Sequence, residues 1–224
     1  MTKQPIIFCD FDGTITNNDN IIAIMKKFAP SQWEKLKDDV LSQRISIKEG
    51  VGNMFSLLPT NWKQEITEYV ISQAEIRPGF EEFVAYTREK DIKLLIVSGG
   101  IDFFVNPLLQ PFNIDRADIY CNGSDFSAER IKITWPNTCD RFCNNDCGCC
   151  KPSILRNYQA DEYERIVIGD SITDLQAAKR ADSVIARDFL IEKCRALGLN
   201  YKPFETFYDV IEIINQRQGE LEGA

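Results

Sequence analysis

Four short apolar runs constrain the fold more than any other feature of the sequence. They are residues 5–9, 93–97, 165–168 and 183–186. After a polar first residue in the last three, each run is continuously apolar. Such runs lack the alternation of a half-exposed strand and are typical of strands buried on both faces of a parallel sheet. Helical patterns at 80–87 and 172–180 fall between the runs. We therefore expect an α/β fold, a doubly wound parallel-sheet (Rossmann-like) core that binds ligands at the carboxyl ends of its strands.

Residues 17–76 interrupt this alternation of strand and helix. They show helical patterns at 21–28, 31–41 and 61–74 and no clear strand. We interpret 17–76 as a helical cap domain inserted after the first strand, so that 1–16 and 77–224 form the core. A Cys-, Asn- and Asp-rich segment at about 118–150 is expected to be an irregular insertion in that core.

The charged and titratable residues exclude several functions. The chain has no histidine, which rules out a Ser-His-Asp triad and imidazole-bound zinc, so proton transfer near neutral pH must use other side chains. Its formal net charge is −8, and an acidic surface repels nucleic acid and anionic lipid. We predict neither as a partner, and we expect any phosphate site to be made locally positive by a metal ion, a lysine or backbone N–H groups.

The amino-terminal sequence MTKQPIIFCD has no charged-then-apolar signal region. No apolar run approaches the roughly 18 residues that span a bilayer. We therefore expect a cytoplasmic protein whose eight cysteines are reduced. The sequence leaves the oligomeric state open.

Asp10-Phe11-Asp12-Gly13-Thr14 comes directly after the first predicted strand. Two carboxylates two positions apart can face one site, where one binds a cation and attacks phosphorus while the other handles a proton. Gly13 permits the tight turn that aims them. A calcium-binding loop is excluded because its twelfth position is Ile21 and not Glu; an ordinary Asp-rich turn is the alternative.

Ser98-Gly99-Gly100 follows the second predicted strand, and Lys151-Pro152 opens a predicted helix. A hydroxyl beside free backbone N–H groups can cradle a phosphate, and a lysine can neutralise its charge. Taken singly, an ordinary turn and a solvated surface lysine are the alternatives.

The sequence Gly169-Asp170-Ser171-Ile172-Thr173-Asp174 follows the third predicted strand. Asp170 can complete a metal site, and Asp174, one helical turn later, can orient water or Lys151. Helix capping by the two acidic residues is the alternative. Together, the four motifs supply a nucleophile, a cation site, charge neutralisation and a proton shuttle, as phosphoryl transfer requires.

With these four motifs, the chain resembles the haloacid dehalogenase superfamily of aspartyl phosphatases. The resemblance implies that Asp10 is the nucleophile and Asp12 the general acid and base. It implies that Mg²⁺ is the cofactor, bound by Asp10, Asp170 and the backbone carbonyl of Asp12, with Asp174 supporting the metal site. The phosphate of a small-molecule ester would bind to Ser98, Gly99, Gly100 and Lys151.

The position of the insertion resembles the subgroup with a helical cap, typified by phosphoserine phosphatase. Asp19 falls where that subgroup has an acidic residue facing the substrate. The arginine that holds a substrate carboxylate there is absent from 48–55, which argues against an amino-acid substrate. Met54, Phe55 and Leu57 suit an apolar leaving group, with Met54 predicted to bind it; cap core is the alternative.

Two other interpretations remain open at this point. One is a phosphatase for phosphoserine or for other small phosphomonoesters. The other is a phosphate-binding regulatory protein on an inactive scaffold, which the complete set of predicted catalytic residues disfavours: Asp10, Asp12, Ser98, Lys151 and Asp174.

Five cysteines lie just before Lys151, at positions 139, 143, 147, 149 and 150. Thiolates can bind zinc, but we do not find paired CxxC motifs here, and Cys147-Gly148-Cys149 is too tight for a zinc knuckle. The spacing therefore favours reduced, packed thiols over a metal site.

Overall fold

The structure is a computed structural model that describes residues 3–222, with side chains described for 3–217. Its strands are β1 (Gln4–Cys9), β2 (Lys93–Ile101), β3 (Ile119–Asp125), β4 (Lys132–Thr134), β5 (Tyr163–Gly169), β6 (Ser183–Ala186) and β7 (Tyr201–Pro203). Its α-helices are α1 (Asn20–Phe28), α2 (Gln32–Leu41), α3 (Ile47–Ser56), α4 (Lys63–Gln73), α5 (Phe80–Glu89), α6 (Asp102–Leu109), α7 (Lys151–Arg156), α8 (Leu175–Ala178), α9 (Asp188–Leu197) and α10 (Phe207–Glu222).

The seven strands form one sheet in the order β4-β3-β2-β1-β5-β6-β7. Neighbouring strands are parallel except for the antiparallel pair β3 and β4. After β1 the chain first adds β2, β3 and β4 on one side of β1, and it later adds β5, β6 and β7 on the other side. The carboxyl ends of β1, β2 and β5 thus meet at a topological switch point, where ligands bind in open α/β sheets.

Strand β1 shows why these apolar runs are continuous. Ile7 and Cys9 enter the larger hydrophobic cluster, whereas Ile6 and Phe8 enter a second cluster on the opposite face of the sheet. Side chains alternate between the two faces of a strand, so a strand covered on both sides must be apolar at every position. The predicted α/β class is confirmed.

All four predicted strands are present, and β2 continues four residues past the predicted end at Val97, through the Ser98-Gly99-Gly100 motif to Ile101. The predicted helix at 172–180 is shortened to α8, because the carboxylate of Asp174 accepts hydrogen bonds from the backbone of the preceding turn. The expectation that 118–150 is irregular is wrong for β3 and β4, which extend the sheet. Polar residues interrupt both strands, IYCNGSD in β3 and KIT in β4, so neither has the continuous apolar run that marked the others.

Helices α1 to α4 lie within the predicted cap, 17–76, which joins the core through a bridge between Thr16 and Ile76. A second bridge, between Pro59 and Arg130, and a hydrogen bond of 3.0 Å from Ile131 N to Leu58 O tie the cap to the β3–β4 hairpin. The division into cap and core remains a proposal. Residues 1–2 and 223–224 of the predicted core lie outside the described residues.

Within the part of the chain that the structure describes, none of the helices combines the length and the apolar character needed to cross a bilayer.

Candidate active site

Asp10 is the first residue after β1, and its N–H still donates to the carbonyl of Ile168 on β5 at 2.9 Å. Gly13 turns the chain back with φ +81, and the carboxylate of Asp170 occupies the space where a Cβ would project from it. Thr14 Oγ1 then donates to Asp170 Oδ1 at 3.0 Å. The turn therefore places the first and fourth sequence motifs in direct contact.

Lys151 begins α7 and is only 6% exposed. Its Nζ lies 2.6 Å from Asp10 Oδ1 and 2.5 Å from Asp174 Oδ1. Burial opposes the charged form, but the two carboxylates outweigh it and hold the pKa of Lys151 above its ordinary value. The lysine is thus a fixed positive charge in the site, and not the solvated surface residue that was the alternative.

Asp174 uses both carboxylate oxygens to hold the site together. Oδ1 accepts from Lys151, while Oδ2 accepts from the backbone N–H groups of Asp170 at 3.2 Å and Ser171 at 3.0 Å. The side chain of Asp174 thus reaches Lys151 and the turn before α8, and it makes no capping hydrogen bond to α8, so the helix-capping alternative is not seen for this residue.

The carboxylates of Asp10, Asp170 and Asp174 approach so closely that one oxygen of each lies within 4.8 Å of the others. Burial, and next the charge of Asp174, raise the pKa of Asp10 well above its ordinary value and the pKa of Asp170 to about 6. Three carboxylates face one ammonium, so the site has an excess of negative charge and hard oxygen donors. That donor set fits Mg²⁺, and Asp10 and Asp170 retain the oxygens to hold it.

Asp12 is held by hydrogen bonds from outside this carboxylate cluster. Asn20, the first residue of α1, donates to Asp12 Oδ1 from its backbone N at 3.0 Å and from Nδ2 at 2.7 Å. Burial, followed by the charge of Asp19, raises the pKa of Asp12 to about 7. A carboxyl group with a pKa near neutrality, held in one orientation, is suited to general acid and base chemistry.

The Ser98-Gly99-Gly100 motif lies at the same edge of the sheet. Ser98 is fully buried, and its Oγ accepts from the N–H of Gly100 at 2.8 Å. The space beside Gly99 is open, with no atom within 4 Å of a Cβ placed there. A Cβ on Gly100 would lie 2.8 Å from Asp12 Oδ2, so the motif and the carboxylate of Asp12 are in direct contact.

The two predicted residues from the cap occupy different places. Asp19 is exposed, caps α1 by accepting from Ile22 N at 3.0 Å, and lies close enough to Asp12 to raise its pKa. Met54 is 4% exposed and Phe55 is fully buried, so both pack in the core, as the alternative interpretation held. Contact of either Asp19 or Met54 with a substrate remains a prediction.

Comparison with known proteins identifies the family. The model of the haloacid dehalogenase-like hydrolases matches residues 7–179. The chain belongs to the haloacid dehalogenase-like hydrolases. The matched range covers every motif described above, from Asp10 to Asp174.

Two curated relatives of this haloacid dehalogenase-like hydrolase carry the name 2-hydroxy-3-keto-5-methylthiopentenyl-1-phosphate phosphatase. The protein of Geobacillus thermodenitrificans is 61% identical over 95% of this chain and 96% of its own length. The protein of Geobacillus kaustophilus is 60% identical over 97% of this chain and 99% of its own length.

A solved structure described as a phospho-aspartyl intermediate analogue of phosphoserine phosphatase aligns over 95% of this chain and 99% of its own, with a TM-score of 0.69. The two sequences are 19% identical, so this comparison shows a shared fold.

Arg77 and Asn20 of this hydrolase were not singled out in the sequence. Arg77 is buried and donates to the carbonyls of Gly13 at 2.8 Å and Thr14 at 2.6 Å, which fixes the turn that follows Asp10 and Asp12. In the sequence it was only part of an Arg-Pro-Gly break between helix patterns. No local signal marks such a contact, because donor and acceptors are 63 and 64 positions apart.

Asn122 on β3 is a third residue that the sequence did not indicate. Its Nδ2 donates to the carbonyl of Gly99 at 2.7 Å, and its buried Oδ1 has no hydrogen-bond partner among the described residues. The amide of Asn122 therefore ties β3 to the Ser98-Gly99-Gly100 motif, at the cost of one unpaired buried acceptor.

Proposed function

We propose that this haloacid dehalogenase-like hydrolase removes the phosphate from 2-hydroxy-3-keto-5-methylthiopentenyl-1-phosphate in methionine salvage, through an aspartyl-phosphate on Asp10. The observation that carries the phosphatase assignment is the buried contact between Asp10 and Lys151. It puts a carboxylate nucleophile beside a permanent positive charge at the carboxyl edge of the sheet. The choice of substrate is supported by the name shared by relatives about 60% identical to this chain.

Asp10 is oriented for attack because Oδ1 is held by Lys151. Oδ2 forms the new bond to phosphorus while the bond from phosphorus to the ester oxygen breaks. Asp12 gives its proton to that leaving oxygen. In the second half-reaction Asp12 removes a proton from water, the water oxygen attacks phosphorus, and the bond to Asp10 breaks to release inorganic phosphate.

Asp10, Asp170 and the backbone carbonyl of Asp12 would hold Mg²⁺. When bound, the cation supplies charge neutralisation and Lewis-acid polarisation of the phosphoryl group. Lys151 would bind the transferring phosphoryl group from another side, together with Ser98 and the N–H groups of Gly99 and Gly100.

The leaving group is the part of this proposal that depends on the cap. Residues 48–55 contain no arginine, and Lys48, the basic residue of α3, already pairs with Asp146 Oδ1 at 3.3 Å, so α3 offers no unpaired basic side chain for a substrate carboxylate. A phosphate ester whose leaving group is uncharged fits that composition. The cytoplasmic location and the absence of nucleic-acid and membrane partners are further parts of the proposal, and they rest on the sequence.

A substrate panel with Mg²⁺ tests this function. We expect kcat/KM for the methylthiopentenyl enol phosphate to exceed those for phosphoserine, phosphocholine and sugar phosphates by at least a hundredfold. Comparable values for all four would retain the phosphatase and remove the substrate assignment. Binding of phosphate without turnover of any ester, with Mg²⁺ present, would indicate the regulatory alternative.

A further inference from the structure

The cysteine-rich segment before Lys151 contains a cluster that phosphate chemistry does not use. Cys139, Cys143, Cys147 and Cys150 place their sulfur atoms within 4.8 Å of one another. We propose that these four cysteines bind a structural zinc ion, separate from the carboxylate site of Asp10. The proposal differs from the sequence interpretation, which favoured packed thiols over a metal site.

One sulfur–sulfur distance matches that expected around a tetrahedral zinc ion, and all four sulfurs lie within 4.8 Å of one another. With Zn–S bonds of about 2.3 Å, a tetrahedron places its sulfurs about 3.8 Å apart. Cys143 Sγ and Cys147 Sγ are 3.9 Å apart. A disulfide would need about 2.05 Å, and all four cysteines are free thiols in the structure.

The spacing contains a CxxC pair, which the sequence interpretation missed by pairing Cys147 with Cys149. Cys147 and Cys150 are the true pair, and Gly148 between them has φ +82, the left-handed conformation that lets the chain turn tightly. Cys149 points out of the cluster, with its Sγ 3.7 Å from the carbonyl of Tyr120. Four of five neighbouring cysteines therefore converge, while the fifth packs in the core.

Hydrogen-bond donors already face the sulfur atoms. The N–H of Cys147 donates to Cys139 Sγ at 3.4 Å, and Ser153 Oγ lies 2.9 Å from Cys150 Sγ. Such donors stabilise the negative charge that four thiolates retain after binding Zn²⁺. The same Ser153 Oγ also accepts from the N–H of Asp140, which ties the first part of the loop to α7.

The position of the cluster gives the ion a structural role. Cys150 directly precedes Lys151, and the loop also reaches the cap, where Asp146 accepts from Ser46 Oγ at 2.7 Å and pairs with Lys48 Nζ at 3.3 Å. A zinc ion would hold together a loop that has no helix or strand between 135 and 150. We infer that it anchors both the start of α7 and the contact with the cap.

Metal analysis of the full-length protein tests the proposal directly. Because the chain has no histidine, removal of the affinity tag leaves no imidazole that could hold zinc. After dialysis against excess Mg²⁺, we expect one zinc per chain by mass spectrometry, released by p-hydroxymercuribenzoate. Protein expressed with Co²⁺ should show the charge-transfer and d–d bands of tetrahedral thiolate coordination. Two results would overturn the assignment. One is a zinc-free protein that takes up no added Zn²⁺, and the other is iron bound to the protein in place of zinc.

Variants distinguish the four ligands from their neighbours and from the magnesium site. Cys147→Ser should lose at least nine-tenths of the zinc, whereas Cys149→Ala, two positions away, and Asp170→Asn, in the carboxylate site, should keep it. Loss of zinc from Asp170→Asn with retention in Cys147→Ser would place the ion in the carboxylate site and refute the proposal.

A second readout remains useful if Cys147→Ser is poorly folded. Arg141 is exposed within the loop, so trypsin should cut there slowly in the zinc-loaded wild-type protein. Removing zinc from that protein with the mercurial and then blocking the thiols should speed cleavage at least tenfold, and an unchanged rate would contradict a structural role for the ion.

Discussion

Arg77 Nε lies 2.6 Å from the carbonyl oxygen of Thr14, and Nη2 of the same guanidinium lies 2.8 Å from the carbonyl of Gly13. A residue that precedes α5 therefore supports the turn between Asp10 and the helices of the proposed cap. The guanidinium also donates to the carbonyl of Glu205 at 3.3 Å. The planar guanidinium of Arg77 thus connects the turn at Gly13 and Thr14, the chain at Glu205 and the segment before α5. A lysine cannot reproduce this geometry.

We expect Arg77→Lys to lower kcat about tenfold or more and to reduce the free energy of unfolding by about 1–3 kcal/mol, because buried carbonyls lose their donors. KM should change less, since Arg77 touches the turn and not the phosphate. Steady-state kinetics and urea denaturation measure both. Arg88→Lys is the matched control, because Arg88 also donates to two carbonyls but is exposed and far along α5. Equal effects of the two changes would refute the positioning role.

Asn20→Ala should reduce turnover by misplacing Asp12. The change removes the 2.7 Å donor from the side chain and leaves only the backbone N–H to orient the carboxylate. General acid–base catalysis contributes about 10²–10⁴ in rate, so partial loss of orientation should cost about tenfold in kcat. Asn17→Ala, which removes an exposed amide bonded to Glu75, should leave kcat within twofold. Wild-type kcat in Asn20→Ala would show that Asp12 needs no such support.

Asp10→Asn should abolish phosphate release and leave the fold intact. Asparagine has nearly the same shape, but its amide cannot attack phosphorus. Enzymatic assay and circular dichroism check the two parts of the prediction. Asp91→Asn, in an exposed turn before β2, is the control for loss of one negative charge. A folded Asp10→Asn protein that still turns over substrate would exclude the aspartyl-phosphate mechanism.

Lys151→Met should destabilise the protein when Mg²⁺ is absent, because Asp10 and Asp174 then face each other without a cation. Removing one partner of a buried ion pair typically costs about 3–5 kcal/mol. Lys93→Met provides the comparison, since Lys93 is exposed and its pair with Asp118 is worth about 0–1 kcal/mol at such a surface site. Urea denaturation of both variants without metal gives the difference. Similar midpoints would mean that Lys151 contributes no net stabilisation.

The local pattern of the sequence determined the α/β class, the positions of β1, β2, β5 and β6, and the placement of the acidic motifs at strand ends. These are short-range properties, since burial on both faces requires an unbroken apolar run and parallel strands bring their carboxyl ends to one edge. The resemblance of the motifs to a known family supplied the expected roles of Asp10, Asp12, Asp170 and Lys151.

Only the tertiary structure decided which distant groups meet. Asn20 reaches Asp12, Arg77 reaches the turn at Thr14, and Cys139 joins Cys150 because of how the connecting segments fold back. Strands β3 and β4 likewise depend on pairing with β2 and with each other, and their partly polar sequences do not by themselves indicate that pairing. Residue spacing cannot specify such contacts, because they follow from the packing of elements that are far apart in the chain.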